Sequence, residues 1–372
     1  MDYQQEIRDV LARSWDEAGM QRRALNDDIR AAGYVCLFGA GEVGQAVAAD
    51  LAEAGIRVDG FCDNNPALWD SCIHGSLKCI SPDDLLKRKN DAIVLVTSGY
   101  FREICGQLKG LGLTNYHPVA KSKVRNDRFF DRSDARSVQE NLARLLEVLA
   151  DDRSREIVRV VVASWFEAPD GENKFKAVMS KDQYFPADIV TLSDREVFVD
   201  AGAFNGDSIR DFLSRVGNRF DRIFAYELDR YYFEKLQESV RGLDEQVGKK
   251  IRIFNLGLYD ENIPVKYQHN LTSSSVNANA DEWGNVVRLS DHQRGARISF
   301  IKMDIEGAEI KALQGAAEII KAEHPKLAIC TYHEPSHLWE IPLYIKSLNP
   351  RYKLRLRHHT DLEYETVCYA TS

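Results

Sequence analysis

The sequence predicts an α/β protein in which two doubly wound parallel sheets are joined by a helical connector. Two observations support this class: short β-branched runs alternate with helical runs twice along the chain, and each series opens with a strand, a glycine-rich turn and a helix. The length of 372 residues corresponds to about two and a half domains of roughly 150 residues. We therefore expect a first domain at residues 1–120, a connector at 121–195 and a second domain at 196–372.

The first domain is predicted to begin with a helix over residues 1 to about 32. Its apolar positions Ile7, Val10, Leu11 and Trp15 are spaced to form one face. From Tyr34 onward, strands are predicted at YVCLFG, RVDGFCD and AIVLVT, with helical segments between them. This order of strand, helix and strand is typical of a parallel sheet.

The predicted connector lacks comparable strands and carries the charged helical pattern SVQENLARLLEVLADDRSREIVRVVVASWF.

In the second domain, strands are predicted at EVFVD, RIFAYE, IRIFNLGLY, ISFIKMD, KLAICTY, YKLRLRH and ETVCYA. The small polar residues from His269 to Gly284 predict a loop that either closes over a substrate or only connects two strands.

Composition narrows the classes of function. Lys and Arg number 49 against 57 Asp and Glu, so the net charge of −8 disfavours binding to nucleic acid or anionic lipid. No run approaches the roughly 20 apolar residues of a membrane span. The seven cysteines show no CxxC spacing and lie mostly in apolar runs. Together with the charged start of the chain, they predict free thiols and a cytoplasmic location. The oligomeric state stays open, with a homodimer as one option.

The first glycine-rich turn has the GxGxxG spacing between a strand and a helix. In this context the glycines allow close backbone approach, and the helix N-terminus attracts a phosphate. Asp63 ends the second strand, where it could accept hydrogen bonds from a ribose; alternatively, it forms a turn cluster with Asn64 and Asn65. We expect a Rossmann-like nucleotide site formed by Gly39, Gly41, Glu42, Val43, Gly44 and Asp63.

The segment GFCDNNPALWDSCIHGSLKCISPDDL, which follows this turn, resembles the Rossmann-like halves that precede the catalytic domains of some bacterial sugar acyltransferases. The likeness lies in the strand-end acid, the turn at Pro66, and His74-Gly75 before a second edge strand. It implies a pocket for a nucleotide or nucleotide-sugar. No Tyr-xxx-Lys pair or His/Asp couple for hydride transfer follows, so we do not expect catalysis in this domain.

The second glycine-rich turn, in EVFVDAGAFNGDS, differs because acids stand at both of its edges. Asp200 and Asp207 would repel a pyrophosphate but suit a ligand that carries an ammonium and a sulfonium, such as S-adenosylmethionine. Gly202 and Gly206 would let the backbone approach its methionine and ribose groups. Ser208 opens the helix that follows.

The next two strand ends offer groups that fit the rest of such a ligand. Glu227 could bind both ribose hydroxyls, and Asp229 opens the following helix. Leu258 and Tyr259 would lie against adenine, with Asp260 near its amine. Each acid alone is explained as a helix N-cap or a solvated strand end. Three successive strand ends with suitable groups together favour a pocket.

The segment ISFIKMDIEGAEIKALQGA resembles the hallmark of the FkbM-type S-adenosylmethionine-dependent methyltransferases, with VDAGAFNGDS, AYELD and LGLYD at the expected spacings. The resemblance spans about Asp188 to Ser372. It implies a class I methyltransferase fold with a seven-stranded sheet whose last strand is antiparallel, and O-methylation of a sugar or secondary metabolite. The cofactor-binding residues are then expected to be Asp200, Gly202, Phe204, Asn205, Gly206, Asp207, Ser208, Glu227, Leu228, Asp229, Leu258, Tyr259 and Asp304.

Methyl transfer requires groups that align the acceptor oxygen and receive its proton. We predict Asp304 and Glu306 as acceptor-side carboxylates because they follow the fourth strand. His333 follows the fifth strand and is either the base or a strand-end histidine bonded to a neighbour. Lys302 could pair with Asp304 and leave that carboxylate an orienting group.

No required metal is predicted, although Asp304, Glu306 and Glu309 could gather one. We do not assign the segment HEPSH, from His333 to His337, to a zinc site. The charged run from Arg355 to His359 is predicted to be a solvated edge strand; the alternative is contact with an anionic acceptor.

The leading functional hypothesis is an O-methyltransferase that acts on a glycan or nucleotide-sugar precursor, which would place it in glycan biosynthesis. The first domain would then bind the nucleotide end of the acceptor or a regulator. Two alternatives remain: an NAD-dependent oxidoreductase or epimerase that uses GAGEVG, and a non-enzymatic ligand sensor.

Overall fold

The computed structural model describes residues 3–53, 55–119, 135–165, 174–269, 274–277 and 280–372. It forms two compact units, an N-terminal unit of residues 1–140 and 161–172 and a C-terminal unit of residues 141–160 and 173–372. The predicted connector is therefore not a body of its own, because its described residues are divided between the units. Apolar positions such as Leu142 and Leu145 are fully buried, whereas a free-standing connector would leave them in water.

The N-terminal unit contains a six-stranded sheet in which five strands are parallel. Its helices are α1 (Tyr3–Ala31), α2 (Glu42–Glu53), α3 (Pro82–Leu86) and α4 (Phe101–Gly110). Its strands are β1 (Tyr34–Phe38), β2 (Gly60–Cys62), β3 (Cys72–His74), β4 (Leu77–Ile80), β5 (Ala92–Val96) and β6 (Tyr116–Pro118). They lie in the order β3-β4-β2-β1-β5-β6, and β3 runs antiparallel to β4.

The predicted long first helix is present, and its positions Ile7 and Leu11 are buried. Strand β1 lies between β2 and β5, where Cys36 is aligned with both Gly60 and Val94. Since alternate side chains of a strand point to opposite faces, β1 supplies both cores of this unit. Val35 and Leu37 pack in one core, and Cys36 and Phe38 in the other.

The C-terminal unit has a seven-stranded main sheet and a separate four-stranded sheet. The helices that follow α4 in the described chain are α5 (Ala135–Val148), α6 (Asp152–Ser164), α7 (Phe175–Val178), α8 (Asp207–Val216), α9 (Arg230–Arg241), α10 (Glu245–Gly248), α11 (Leu289–His292), α12 (Glu309–Gly315), α13 (Ala317–Glu323) and α14 (His337–Leu348). The strands are β7 (Val197–Ala201), β8 (Arg222–Tyr226), β9 (Ile251–Phe254), β10 (Gly257–Leu258), β11 (Ile263–His269), β12 (Ser274–Val276), β13 (Glu282–Val287), β14 (Phe300–Met303), β15 (Lys326–Cys330), β16 (Lys353–His358) and β17 (Thr366–Thr371).

The main sheet has the order β16-β17-β15-β14-β7-β8-β9. Strand β17 runs antiparallel to both of its neighbours, whereas the other pairings are parallel, so the predicted antiparallel last strand is present. The aromatic rings of Phe185, Phe198, Phe212 and Phe300 pack against one another on one face. This topology brings the carboxyl ends of β7, β8, β14 and β15 to one edge of the sheet, where open α/β sheets bind ligands.

The prediction of a solvated edge strand at β16 is wrong. Leu149 and Met179 form bridges to Leu354 and His358 and so cover that edge. Arg357 is 4% exposed and pairs with two carboxylates, of Asp151 at 3.0 Å and of Asp188 at 2.9 Å. The basic run is buried because acids from distant segments neutralise it.

The predicted polar loop from His269 to Gly284 is also different in the structure. His269 ends β11, Ser274–Val276 form β12 and Gly284 lies in β13, in a small sheet of order β10-β13-β11-β12. The residues 270–273 and 278–279 lie outside the described ones. Val265, Tyr267 and Val286 are buried in this sheet, and that burial stabilises strands despite the polar composition of the segment.

All seven cysteines have free thiols. Among the helices of the described residues, none has the length and hydropathy that a membrane span requires.

Candidate functional site

A cavity of about 250 Å³ lies at the carboxyl edge of the main sheet. Its lining includes many of the predicted residues: Gly202, Phe204, Asp207, Ser208, Glu227, Leu228, Leu258, Asp304 and Glu306. It also includes residues that were not predicted, namely Tyr184, Tyr226, Tyr232, Gly257, Val276, Val286, Lys302, Ile305, Ala308, Tyr332 and Glu365. The motifs that lie far apart in sequence thus meet at one place.

The turn after β7 requires glycine at position 202. Gly202 has φ +73°, and a Cβ atom there would lie 1.8 Å from the carbonyl oxygen of Asp304. The backbones after β7 and β14 can therefore approach closely only without a side chain. Gly206, with φ +84°, is the N-cap of α8, and Asp207 stands in the first turn of that helix.

Asp200 does not line the cavity, contrary to its predicted role in binding the cofactor. Its side chain is fully buried, and its Oδ1 lies 3.1 Å from Nζ of Lys302. Burial raises the pKa of Asp200 to about 6, although the charge of Lys302 opposes this shift. Lys302 therefore pairs with Asp200 and not, as considered from the sequence, with Asp304, because β7 and β14 align residues 200 and 302.

Glu227 is a buried carboxylate in the cavity wall. Its Oε2 accepts a hydrogen bond from the backbone N–H of Phe204 at 2.8 Å, and its Oε1 accepts one from that of Asp229 at 2.9 Å. Burial raises the pKa of Glu227 to about 7. Each oxygen keeps a further lone pair, so the carboxylate can still accept hydroxyl donors from a ligand.

Apolar side chains form the wall next to Glu227. Leu228, Leu258, Val276 and Val286 line this part of the cavity. The small sheet contributes the last three, and Gly257 lets its backbone lie against Val286, 3.0 Å from where a Cβ atom would stand. This surface suits one face of a flat ring such as adenine.

Several residues predicted to bind the cofactor have other partners. The backbone oxygen of Asn205 accepts from Arg210 at 2.9 Å. Asp229 is the N-cap of α9, and its other oxygen lies 2.6 Å from Nδ1 of His269. Asp260 pairs with Lys311 at 2.8 Å. Lys311 also lies over the ring of Tyr259, so Leu258, and not its neighbour, faces the cavity.

Asp304 follows β14, which β7 separates from β8 and Glu227 in the main sheet, so it marks a second side of the cavity. Its Oδ2 accepts a hydrogen bond from the hydroxyl of Tyr184 at 2.7 Å, and its Oδ1 accepts one from Tyr332 at 3.1 Å. The charges of Lys302 and His333 lower its pKa against the opposing effect of burial. An ionised carboxylate held by two phenols is a fixed hydrogen-bond acceptor.

Glu365 is a second carboxylate on this side, and sequence reasoning missed it. It accepts a hydrogen bond from the side-chain amide of Gln183, and its Oε1 lies 3.5 Å from the hydroxyl of Tyr332. Burial, together with the charge of Asp304, raises its pKa to about 7. Gln183 and Glu365 are 182 positions apart in the sequence, so no local motif marks them.

Backbone strain is concentrated around the same cavity. Four of its lining residues other than glycine have positive φ angles: Tyr184 (66°), Phe204 (47°), Glu306 (54°) and Glu365 (71°). Side chains rarely tolerate this region, and such strain is often found at functional sites. These four positions therefore support the cavity as the functional site.

His333 lies beside Asp304 among three carboxylates. Its Nε2 is 3.3 Å from Asp304 and 3.6 Å from Glu306, and its Nδ1 is 2.9 Å from Glu309. These charges raise the pKa of His333 to about 10 although burial opposes the shift. A protonated imidazole cannot accept a proton, so this environment favours the alternative considered from the sequence, a histidine bonded to its neighbours, over the role of base.

Glu309 fixes the turn between β14 and α12. Its oxygens accept the backbone N–H groups of Ile305 at 2.9 Å and Gly307 at 3.1 Å. Asp304, Glu309 and His333 also form a group whose potential metal-ligating atoms all lie within 4.8 Å of one another. Asp304, Cys330 and Glu365 form a second such group.

The segment HEPSH has the His-Glu-x-x-His spacing, but from the sequence we did not assign it to a zinc site. It does not form one helical face, because His333 follows β15 whereas His337 begins α14. Both histidines approach Glu309, and Nδ1 of His337 lies 3.4 Å from its Oε2.

In the N-terminal unit, the GxGxxG turn has the predicted form. A Cβ atom on Gly44 would lie 1.9 Å from the carbonyl oxygen of Gly39, whereas one on Gly41 would meet open space. Asp63 accepts the backbone N–H groups of Ala40 and Asn65, both at 2.9 Å. It therefore stabilises the turn, as in the alternative interpretation, and the space beside Gly41 is open. Val43 follows in α2.

Two family models match the chain. Residues 32–119 match the model described as C2185-like, N-terminal. Residues 200–352, which lie in the C-terminal unit, match the model described as Methyltransferase FkbM domain. The matched residues include the turn after β7, Glu227 and the carboxylates after β14.

Solved structures are similar as well. A methyltransferase FkbM from Methylobacillus flagellatus KT is 22% identical, with a TM-score of 0.73 over 98% of this chain and 99% of that chain. A SAM-dependent methyltransferase from Aquifex aeolicus is 15% identical, with a TM-score of 0.30 over 48% of this chain and 84% of that one. A precorrin-6y C5,15-methyltransferase from Geobacter metallireducens GS-15 is 10% identical, with a TM-score of 0.32 over 52% of this chain and 93% of that chain. No curated protein matches the chain.

Proposed function

We propose that the C-terminal unit, which carries a methyltransferase FkbM domain, transfers a methyl group from S-adenosylmethionine to a hydroxyl oxygen of a glycan or nucleotide-sugar precursor. The observation that carries this proposal is the cavity at the carboxyl edge of the main sheet. One side of it has the features of a nucleoside site, and the other presents carboxylates and phenols.

The residues on the first side fit S-adenosylmethionine. Gly202 leaves the backbone bare, Glu227 offers carboxylate oxygens to a ribose, and Leu258 and Val286 offer an apolar surface to adenine. The acidic lining, which includes Asp207, suits the positive ammonium and sulfonium groups.

S-adenosylmethionine supplies an electrophilic methyl group, so the protein has to position the acceptor oxygen and take its proton. Asp304, which Tyr184 and Tyr332 hold in place, would accept a hydrogen bond from the acceptor hydroxyl. Glu306 and Glu365 also line the cavity and are the carboxylates to which the proton would pass.

A sugar hydroxyl is the acceptor that this polar side favours. Tyr184, Tyr332 and Asp304 can exchange hydrogen bonds with neighbouring hydroxyls of one sugar ring. We propose separately that the N-terminal unit binds a nucleotide at the open position beside Gly41.

The direct test is transfer of a labelled methyl group from S-adenosylmethionine to a pool of glycan precursors by the full chain. We expect labelled product with the native protein and at least a tenfold lower rate with Asp304→Asn. Glu318→Gln, at a side chain that is 74% exposed, is the matched control and should keep the native rate. Absence of labelled product across a broad pool would count against the proposal.

Calorimetric titration separates the proposal from an oxidoreductase. We expect saturable binding of S-adenosylmethionine. Binding of NAD(H) that Gly41→Asp abolishes, together with no binding of S-adenosylmethionine, would overturn the proposal. A ligand sensor would bind S-adenosylmethionine without any transfer.

A further inference from the structure

The turn between β14 and α12 forms part of the cavity wall, and a buried carboxylate stands behind it. Asp304, Ile305 and Glu306 of this turn line the cavity, whereas Glu309 is not one of the lining residues. The side chain of Glu309 is fully buried. Any effect of Glu309 on a bound ligand must therefore pass through the residues of the turn.

Glu309 holds this turn in a conformation that side chains rarely adopt. Glu306 has φ 54° and Gly307 has φ 100°. The oxygens of Glu309 accept the N–H groups of Ile305 at 2.9 Å and of Gly307 at 3.1 Å. These two N–H groups lie on either side of Glu306, and an uncommon backbone conformation persists only where its surroundings fix it. The direction of the Glu306 side chain therefore depends on the carboxylate of Glu309.

The ring of His333 connects Glu309 with the carboxylates that line the cavity. Its Nδ1 lies 2.9 Å from Oε1 of Glu309, whereas its Nε2 lies 3.3 Å from Asp304 and 3.6 Å from Glu306. His333 follows β15 and is 7% exposed. The two nitrogens of one buried ring thus approach the carboxylate behind the turn and the two carboxylates in front of it.

These groups attract one another through their charges. Neither ring nitrogen of His333 has a hydrogen-bond partner in the described part of the chain. Burial opposes a charged imidazole, but the surrounding carboxylates raise the pKa of His333 to about 10. Burial likewise opposes ionisation of Glu309, but the charge of His333 lowers the pKa of that carboxyl. A protonated imidazole is therefore the counter-charge that lets three carboxylates lie together in largely buried surroundings.

We propose that Glu309 is a positioning residue for the transfer reaction. It fixes the turn that carries Asp304 and Glu306, and through the charge of His333 it keeps both carboxylates directed at the acceptor. This inference rests on the proposed function, because it assigns a role within the same site. Misplacement of a reacting group by about 1 Å can lower a rate about 100-fold. A loosened turn should therefore affect turnover more than it affects cofactor binding.

The variant Glu309→Gln, made in the full chain, tests the proposal. Glutamine has nearly the same volume, but it is uncharged and offers one acceptor oxygen in place of two. We expect kcat for methyl transfer to fall at least about tenfold, whereas the dissociation constant of S-adenosylmethionine, measured by calorimetry, should change less than about threefold. His333→Gln, which removes the counter-charge, should also lower kcat.

Glu196→Gln is the matched control. Glu196 is also fully buried, accepts the N–H group of Ser193 at 2.7 Å and lies 2.5 Å from Nζ of Lys326. It precedes β7, at the end of that strand opposite to the cavity. The variant should lose stability to urea to a similar extent as Glu309→Gln but keep the native kcat. A purely structural role of Glu309 would make the two variants alike.

Amide hydrogen exchange gives a readout that needs no activity. The N–H groups of Ile305 and Gly307 should exchange slowly in the native chain and at least about tenfold faster in Glu309→Gln. Glu196→Gln should leave both rates unchanged. Circular dichroism identifies a variant that does not fold, and the kcat of His333→Gln decides the matter if Glu309→Gln fails to fold.

The outcomes separate this inference from the proposed function. A native kcat in folded Glu309→Gln, or in His333→Gln if that variant has to serve, would overturn the inference and keep the methyltransferase. An equal fall of kcat in Glu196→Gln would do the same. Absence of methyl transfer by the native chain would instead refute the proposed function. In that case, faster amide exchange in Glu309→Gln would support the role of Glu309 in fixing the turn, and unchanged exchange would overturn it.

Discussion

Replacement of Lys302 by methionine tests the buried ion pair beneath the cavity. The side chain of Lys302 is 2% exposed and that of Asp200 is fully buried. Lys302 also donates a hydrogen bond to the carbonyl oxygen of Gly202 at 2.7 Å. Methionine keeps most of the volume and the apolar stem but removes the charge, so the loss of stability measures the pair.

We expect Lys302→Met to lower the free energy of unfolding by about 3–5 kcal/mol, since removal of one partner leaves an uncompensated buried charge. For a unit of this size, that loss corresponds to roughly 6–20 °C in melting temperature. The double variant Asp200→Asn/Lys302→Met should lose about 2 kcal/mol less than the sum of the two single variants, because the charges are coupled.

Lys311→Met is the matched control. Lys311 and Asp260 lie 2.8 Å apart, closer than the buried pair, but the side chain of Lys311 is 49% exposed. Solvent screens such pairs, so this variant should lose less than about 1 kcal/mol. Urea unfolding followed by fluorescence gives both values. A loss below about 1 kcal/mol for Lys302→Met, or equal losses for both lysines, would refute the reasoning.

Three further predictions concern the turn, the donor site and the edge strand. Gly202→Ala should lose more than about 2 kcal/mol by urea unfolding, because its Cβ atom would clash at 1.8 Å and its φ is positive, whereas Gly41→Ala should lose little. Affinity for S-adenosylmethionine, measured by calorimetry, should rise as the pH increases through about 7, where Glu227 ionises, and Glu227→Gln should abolish this dependence. Burial lowers the pKa of His358 to about 4, so the native state resists protonation that the unfolded chain accepts near pH 6.5. His358 should therefore lower the free energy of unfolding by up to about 3 kcal/mol between pH 6.5 and pH 4, so the native chain should lose more stability over this range than His358→Phe does in the same titration.

The strands, the turns and much of the cavity lining were predictable because their signals are local. Gly202 follows a run of β-branched residues and precedes a helix, and Glu227 ends the next strand. In a parallel sheet, the ends of such strands meet at one edge whatever the rest of the chain does. The parallel pairing of β7, β8 and β14 was implied by the same pattern.

Other features depend on partners that sequence proximity does not reveal. Lys302 is two residues from Asp304, yet it pairs with Asp200, since the register of β7 and β14 places those two side chains together. Glu365 approaches Asp304 from the last strand connection and carries no motif. A composition of small polar residues predicted a loop from His269 to Gly284, but Ser274–Val276 form a strand in a sheet whose flanking residues Tyr267 and Val286 are buried.

By itself, the sequence determined where the backbone turns and which groups stand at the strand ends, because hydrophobic period and glycine placement act within a few residues. Only the tertiary structure decided which charges meet. Asp200 became a buried partner of Lys302, and His333 came to lie among three carboxylates that raise its pKa. The physical reason is that the ionisation of a buried group depends on burial and on charges brought near it by distant segments, both of which exist only in the folded chain.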